Sequence, residues 1–178
     1  MRTGTHLFLF KIILDKQKQN RHFLKENSSA KNVLNKKVFL VQTDTTVGFL
    51  SQNHHSLALL KERKIEKPFL SVTASFKVLK SLTRIPKEHK NRVRRSEKTT
   101  FIYANNRAIR VIKDKKHADF IRPFLWMYST SANETGLSYD KEFAFSKSDI
   151  IVEDSQGLFE GESSSIYRLT RDKLQRLR

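Results

Sequence analysis

The chain has 178 residues, the length of one domain able to bury roughly two-thirds of its unfolded surface without disulfides or a structural metal. It contains no cysteine, which excludes disulfides and thiolate chemistry and fits a reducing cytoplasm, and its five glycines and three prolines leave no low-complexity linker. Thirty-five Lys and Arg against 18 Asp and Glu give a formal net charge of +17, which points to an anionic partner such as RNA or a polyphosphate, although solvated helix faces give the same composition.

The segment Leu7-Phe8-Leu9-Phe10 with Ile12-Ile13-Leu14 is apolar, but Lys11 interrupts it and Lys16, Lys18 and Arg21 follow. It is shorter than the roughly 20 apolar residues that cross a bilayer, and no small-residue cleavage site follows it. Residues 1–36 are therefore expected to be an N-terminal extension or a peripheral strand or helix, with no membrane contact and a cytoplasmic location.

Lys37-Val38-Phe39-Leu40-Val41 reads as a buried strand ending at the polar turn Gln42-Thr43-Asp44-Thr45-Thr46. Asn53 can cap a helix running through about Lys64, with Leu57, Leu60 and Ile65 facing inward. A strand follows from Pro68 to Thr73, and Ser75 opens a short helix carrying Phe76, Leu79 and Leu82. Pro86 suits the start of a helix that ends near Arg95. Thr99–Ala104 and Ala108–Ile112 read as two strands joined by a turn at Asn105-Asn106. A helix is expected over 117–125, then a short strand at Trp126-Met127-Tyr128, and final strands at 149–152 and 165–169. Strands mixed with helices throughout predict an α/β sheet with helices on its faces and ligands at the strand ends. Charge is uneven: Lys77 to Lys116 is densely basic, including Arg92, Arg94, Arg95 and Lys98, whereas Glu134 to Glu162 is mostly acidic.

Four polar motifs stand out: Thr43-Asp44-Thr45, Lys61-Glu62-Arg63, Ser129-Thr130-Ser131-Ala132-Asn133 and Ser163-Ser164-Ser165. They offer two cations with hydroxyls and amides, equipment for holding phosphates and a small polar substrate that brings its own nucleophile. Each also has a plainer reading. Lys61 and Arg63 suit a helix C-terminus, and they converge as a phosphate clamp only if the helix ends between them. The Thr-Asp-Thr and Ser-Ala-Asn blocks suit turns, and the Ser run suits a flexible loop. His54-His55 diverge on a helix, and Asp149, Glu153 and Asp154 read better as a solvated acidic loop than as metal ligands. No nucleophile elbow, phosphate-binding glycine loop or zinc spacing is present.

Taken in order, the motifs resemble those of the YrdC-like family of threonylcarbamoyl-AMP synthases. The matching blocks are Gln42-Thr43-Asp44-Thr45-Thr46-Val47-Gly48-Phe49, Lys61-Glu62-Arg63 with Pro68-Phe69-Leu70, and Ala108-Ile109-Arg110-Val111. Ser131-Ala132-Asn133-Glu134-Thr135-Gly136, Ser164-Ser165-Ile166 and Leu177-Arg178 complete them, so the resemblance covers roughly residues 38–178. It implies an open, twisted, mixed sheet flanked by helices, with residues 37–178 as a single YrdC-like domain. Gln42 stands where the family has Pro, Val47 where it has an aromatic that would wall the pocket, and Lys64 where it has Pro. Arg95-Ser96-Glu97-Lys98 replaces a Pro-Gly-Pro block, and Ser165 replaces Thr.

The resemblance implies a nucleotidyltransferase. Threonine and bicarbonate would form a carbamate that attacks the α-phosphate of ATP, releasing pyrophosphate; a partner complex would transfer the threonylcarbamoyl group to tRNA. Lys61 and Arg63 would hold the triphosphate with Lys67 close by. Ser131 and Asn133 would bond phosphate or adenylate with help from Ser138, and Arg178 would add a nucleotide contact. Lys61, Arg63, Ser131 and Asn133 would form the catalytic set. Thr45, Arg110, Ser129 and Ser164 would bind threonine, Arg110 through its carboxylate. Magnesium would be held mainly by ATP and water, with no protein metal site. Two alternatives stay open: a non-catalytic RNA-binding member of the same fold using the Lys77–Lys116 face, and a hydrolase of threonylcarbamoyl adenylates.

Overall fold

The computed structural model describes the backbone of residues 10–13 and 28–178, with side chains from residue 31 on. Leu7–Leu9, Leu14 and the basic residues 16, 18 and 21 lie outside the described residues.

In chain order the strands are β1 (Phe10–Ile13), β2 (Phe39–Gln42), β3 (Val47–Ser51), β4 (Leu70–Thr73), β5 (Thr99–Ile102) and β6 (Ala108–Val111), then β7 (Trp126–Ser131), β8 (Ile150–Glu153), β9 (Ser165–Leu169) and β10 (Leu174–Arg176). The helices are α1 (Ser28–Leu34), α2 (His54–Leu60), α3 (Phe76–Leu82), α4 (Lys90–Arg95), α5 (Lys115–Ile121) and α6 (Lys141–Lys147). One mixed sheet takes the order β1-β8-β2-β3-β7-β4-β6-β5-β9-β10. Its centre is antiparallel from β2 through β4, while β4–β6, β5–β9, β2–β8 and β1–β8 pair in parallel. The expected α/β sheet flanked by helices is what forms. Among the described residues no helix is long and apolar enough to cross a membrane.

Because side chains alternate along a strand, each strand feeds two cores. Leu40, Val47 and Phe49 pack on one face with Leu57, Ala58 and Leu60 of α2 and Ala144 of α6. Phe39, Val41, Leu50, Val72 and Met127 pack on the other with Ala118 and Ile121 of α5 and Phe124. A third cluster joins Leu79, Ile85 and Val93 of the α3–α4 region to Phe101, Ile109 and Leu169. Each fully buried Val, Leu, Ile, Phe or Met side chain among them contributes about 1.5–3 kcal/mol.

Several element boundaries depart from the sequence expectation. Asn53 caps α2 through Oδ1, accepting from His55 and Ser56 N–H, but the helix stops at Leu60 rather than Lys64, and Ile65 is 48% exposed instead of inward. The stop is a Schellman motif: Glu62 N–H donates to the Leu59 carbonyl and Arg63 N–H to that of Ala58, with Glu62 at φ 48°. Pro86 opens a 3₁₀ turn over Lys87–His89 before α4. The helix expected over 117–125 begins earlier, at Lys115 behind its cap Asp114, and gives way to a 3₁₀ turn at Arg122–Phe124. Strand β7 runs on to Ser131, because its central place in the sheet supplies partners on both sides. Strand β3, helix α6 and strand β10 had no expectation behind them.

Candidate functional site

Two adjoining cavities open on the sheet, sharing Arg63 and Ser131 as lining residues. The smaller, about 340 Å³, is lined by Thr43, Thr45 and Thr46 of the β2–β3 loop, Thr100, Arg110, Ser129, Ser164 and Arg178 among others. The larger, about 680 Å³, is lined by Lys61, Arg63, Lys67, Asn133, Glu134, Leu137 and Phe143 among others.

The β2–β3 loop is built by its own threonines. Thr43 Oγ1 donates to the Thr46 carbonyl at 2.6 Å and accepts from Thr45 N–H at 3.2 Å. The turn reading of this motif is therefore realised: Thr43 makes the turn, which aims Thr45 at Arg110. Arg110 Nη1 donates to Thr45 Oγ1 at 2.9 Å. The residues before and after Arg110 belong to the core side, and its side chain is 3% exposed.

Asp44 approaches the same Arg110 Nη1, at 3.5 Å. Its backbone N–H donates to Nδ1 of His117 at 3.1 Å. A ring nitrogen that accepts carries no proton, so His117 is neutral with its hydrogen on Nε2. Burial pushes its pKa below the ordinary histidine value, against the pull of Asp44. The 3.4 Å approach of Nδ1 to Asp44 Oδ1 is thus no ion pair, and Arg110 supplies the counter-charge. Burial alone would raise the Asp44 carboxyl, yet the Arg110 charge holds it below the usual carboxylate range. Burial lowers the Arg110 pKa, as does the charge of nearby Arg178, while Asp44 opposes them.

The Schellman turn settles how Lys61 and Arg63 converge. Lys61 caps α2 and reaches across to the Asn133 carbonyl, with Ser131 O and Asn133 Oδ1 each at 3.4 Å. Arg63, past the left-handed Glu62, stacks its guanidinium 3.9 Å over the Phe69 ring and donates from Nη2 to the carbonyls of Lys67 (2.9 Å) and Pro68 (2.6 Å). Its Nε has no hydrogen-bond partner among the described residues. The Lys61 pKa falls through burial and then the Arg63 charge, against the raising effect of Glu134; burial lowers that of Arg63.

Asn133 is the keystone of the β7–α6 loop: Oδ1 accepts from Ser131 Oγ at 2.5 Å and Nδ2 donates to the Leu137 carbonyl at 2.5 Å. Ser164 is 5% exposed and shares a 3.0 Å hydrogen bond with Thr100, so the serine run is no free loop; Arg178 Nε donates to its carbonyl at 3.1 Å.

The structure therefore brings Thr45, Arg110, Ser129, Ser164 and Arg178 into one cavity and Lys61, Lys67 and Asn133 into the next, with Arg63 and Ser131 at the junction. Ser138 is exposed and lines neither, because the loop closed by Asn133 carries it outward. Val47, standing where the family has its pocket aromatic, does not meet the cavity either. It is buried with Leu57 and Leu60, while Gly48 is the residue that meets the cavity. Sequence reasoning placed Asp44 in a motif without giving it a role, and missed His117 and Gly161. A charged residue between two apolar strands was the signal for Asp44. Gly161 lies so close to the Thr45 carbonyl that no Cβ fits there, and its N–H donates to Thr46 Oγ1 at 3.2 Å. Nothing local marks His117, which meets Asp44 across 73 positions.

Among the described residues, three arginines and no carboxylate line the smaller cavity. Of the three, Arg110 is buried and already paired with Asp44, Arg63 is half-buried and Arg178 exposed; cations facing a cavity without a carboxylate side chain favour an anionic guest. Arginines and hydroxyls at the smaller cavity suit an anionic, hydrogen-bonding guest, and Lys61, Arg63 and Lys67 give the larger one a cationic lining.

Solved structures share this architecture. Sua5 of P. abyssi complexed with L-threonine matches at a TM-score of 0.69 and 17% identity, covering 96% of this chain and 57% of that one. YciO of E. coli matches at a TM-score of 0.65 and 14% identity, over 96% and 94%. Full-length HypF in its phosphate- and nucleotide-bound form matches at 0.66 and 15%, over 92% of this chain and 28% of that one. The chain thus spans little more than half the length of the Sua5 protein, and what it shares with these structures is the YrdC/Sua5 fold. No family model and no curated protein sequence matches it.

Proposed function

We propose that the chain is a threonylcarbamoyl-AMP synthase of the YrdC-like family, making threonylcarbamoyl-AMP and pyrophosphate from L-threonine, bicarbonate and ATP. The observation that carries this is the pair of joined cavities, one lined by Arg63, Arg110 and Arg178 without a carboxylate, the other by Lys61, Arg63 and Lys67. An amino acid seated in the first and a triphosphate in the second would meet at Arg63 and Ser131. The likeness to a Sua5 structure complexed with L-threonine and to a HypF structure with phosphate and nucleotide bound supports threonine and a nucleotide as the guests.

In this reading Arg110 receives the threonine carboxylate, with Thr45, Ser129 and Ser164 offering hydrogen bonds. Lys61, Arg63 and Lys67 receive the triphosphate, Arg178 adds a nucleotide contact, and the carbamate oxygen is the nucleophile. The protein supplies positioning and charge stabilisation in place of a catalytic base. Arg63, at the junction, is placed to stabilise negative charge growing on the α-phosphate. Magnesium would arrive with ATP and neutralise its phosphates; the cavity's own carboxylates, Glu62 and Glu134, fit an outer role better than a full ligand set. The product would pass to a transferase complex acting on tRNA.

The test is pyrophosphate release by the purified protein with ATP, threonine, bicarbonate and magnesium, omitting each in turn. Release that requires both threonine and bicarbonate is the expected result. Release independent of threonine, or none with all components present, overturns the proposal.

A further inference from the structure

Three departures from the family's blocks come together in the fold. Gln42 stands in place of a proline, and Glu97 and Lys98 belong to the stretch that replaces Pro-Gly-Pro. All three line a third cavity of about 420 Å³, a volume within the roughly 300–1,000 Å³ of small-ligand sites. The β2–β3 loop forms the partition between it and the smaller cavity, with Thr43 and Thr45 lining both. Lys113 enters the lining from the connection between β6 and α5, and Gln156 and Phe159 from the segment after β8. Gln42 does what a proline cannot: its Oε1 accepts the Phe159 N–H at 2.9 Å. The Phe159 carbonyl accepts in turn from Val47 N–H at 3.1 Å, so the backbone is fastened while the residue stays 49% exposed. Lys98 sits at φ 45°, a left-handed conformation unfavourable to an L side chain, and Ser165 N–H bonds its carbonyl at 3.1 Å.

Most carboxylates of the lining are already committed. Asp44 meets Arg110, Asp114 accepts the His117 N–H at 2.8 Å as the cap of α5, and Asp154 accepts from Lys116 at 2.6 Å and from Gln156 N–H at 2.8 Å. Lys98, Lys113 and Glu97 form no ion pair among the described residues. We propose that this third cavity binds a nucleoside monophosphate, at a site separate from the one that takes ATP in the synthase reading. Lys98 and Lys113 are compact point charges suited to a phosphate. Glu97 offers an acceptor to the vicinal hydroxyls of a ribose. The exposed ring of Phe159 offers a face on which a base can stack, and the Gln156 amide lies in the same wall. An inorganic anion would leave Glu97 and Phe159 unused, and a metal ion would need the committed carboxylates. A nucleoside monophosphate is also what remains of an acyl adenylate once its acyl group has been transferred. The choice of adenosine as the nucleoside rests on the synthase reading; the site itself does not.

The experiment follows the backbone amide NMR shifts of the labelled full chain as adenosine monophosphate is added, first alone and then with a saturating non-hydrolysable ATP analogue. The expected result is a set of shifts at Lys98, Lys113, Gln156 and Phe159 that persists when the analogue is present. Lys98→Gln with Lys113→Gln should lower the affinity read from those shifts at least about tenfold. Phe159→Leu should lower it about fivefold or more through the lost stacking. Adenosine and inorganic phosphate, each added alone, should bind at least about tenfold more weakly than the monophosphate. Shifts confined to Lys61, Arg63 and Asn133, shifts abolished by the analogue, unchanged affinity in the lysine variant, or phosphate binding as tightly as the monophosphate would each overturn the proposal. A variant spectrum that matches the parent's away from the cavity shows that the fold is kept. An analogue that fails to shift Lys61 and Arg63 counts against the synthase reading alone, because the monophosphate titration is read at other residues.

Discussion

Arg110 and Asp44 meet at 3.5 Å with 3% and 5% of their side chains exposed, behind the wall of the smaller cavity. Removing one partner of a buried pair leaves the other charge uncompensated, at about 3 kcal/mol or more. Asp44→Asn is therefore expected to lower stability in urea by about that amount. It should also weaken threonine binding, because Arg110 loses the group that fixes it. Unchanged stability would show that the cavity solvates Arg110 unaided.

The same network predicts a pH dependence. His117 is held neutral, with its folded pKa below the unfolded value near 6.5, so below that pH the unfolded chain binds a proton that the folded chain refuses. Stability falls as pH drops from about 6.5 towards the folded value. The Asp44 carboxyl, also lowered on folding, contributes stability above about pH 3.9 that is lost as pH falls further. His117→Asn keeps an acceptor for the Asp44 N–H but does not titrate. Its unfolding free energy should be flatter than the parent's between pH 6.5 and 5, and parallel curves would remove His117 from the account.

Arg63→Ala removes the guanidinium shared by both cavities. Loss of a charge-stabilising donor typically costs 10²–10³ in turnover, about 2.7–4 kcal/mol, and a comparable loss of ATP affinity is expected by titration calorimetry. The stack on Phe69 and two carbonyl bonds go with it, so stability should drop by about 1 kcal/mol. Arg63→Lys keeps the charge without the fork and should recover only part of the affinity. Full ATP affinity in the alanine variant would end the clamp assignment.

Gly161 is the point where the segment after β8 crosses the β2–β3 loop. Its required feature is the missing Cβ, since the Thr45 carbonyl occupies that space. Gly161→Ala should cost about 1–3 kcal/mol by displacing that backbone, and it should raise the KM for threonine more than that for ATP. Equal effects on both substrates would mean that the damage is global.

Glu62 occupies the left-handed position of the α2 stop, where an L side chain costs about 1–2 kcal/mol relative to glycine. Glu62→Gly is expected to stabilise the fold by about 0.5–1 kcal/mol after the added flexibility of the unfolded chain. Thermal unfolding reads the effect, and a lower midpoint would mean that the carboxylate holds the loop.

By itself the sequence determined the local elements and the order of the motifs. A continuous apolar run marked β2, the Asn105-Asn106 turn marked the β5–β6 pair, the caps Asn53 and Ser75 marked α2 and α3, and the polar blocks marked the strand ends that carry the site. These are short-range effects, set by neighbours a few residues apart. Only the tertiary structure decided which face each residue would serve. Val47 went to the core and Gly48 to the cavity because β3 pairs on both edges and alternation then leaves no choice. Ser138 was carried outward by the loop Asn133 closes, and α6, capped locally by Asp140, found its place through the contact of Phe143 with Phe49 of β3. The Asp44–Arg110–His117 network joins a loop, a strand and a helix from distant parts of the chain. Burial gives that network its charge states, and burial is a property of the assembled sheet rather than of any segment of it.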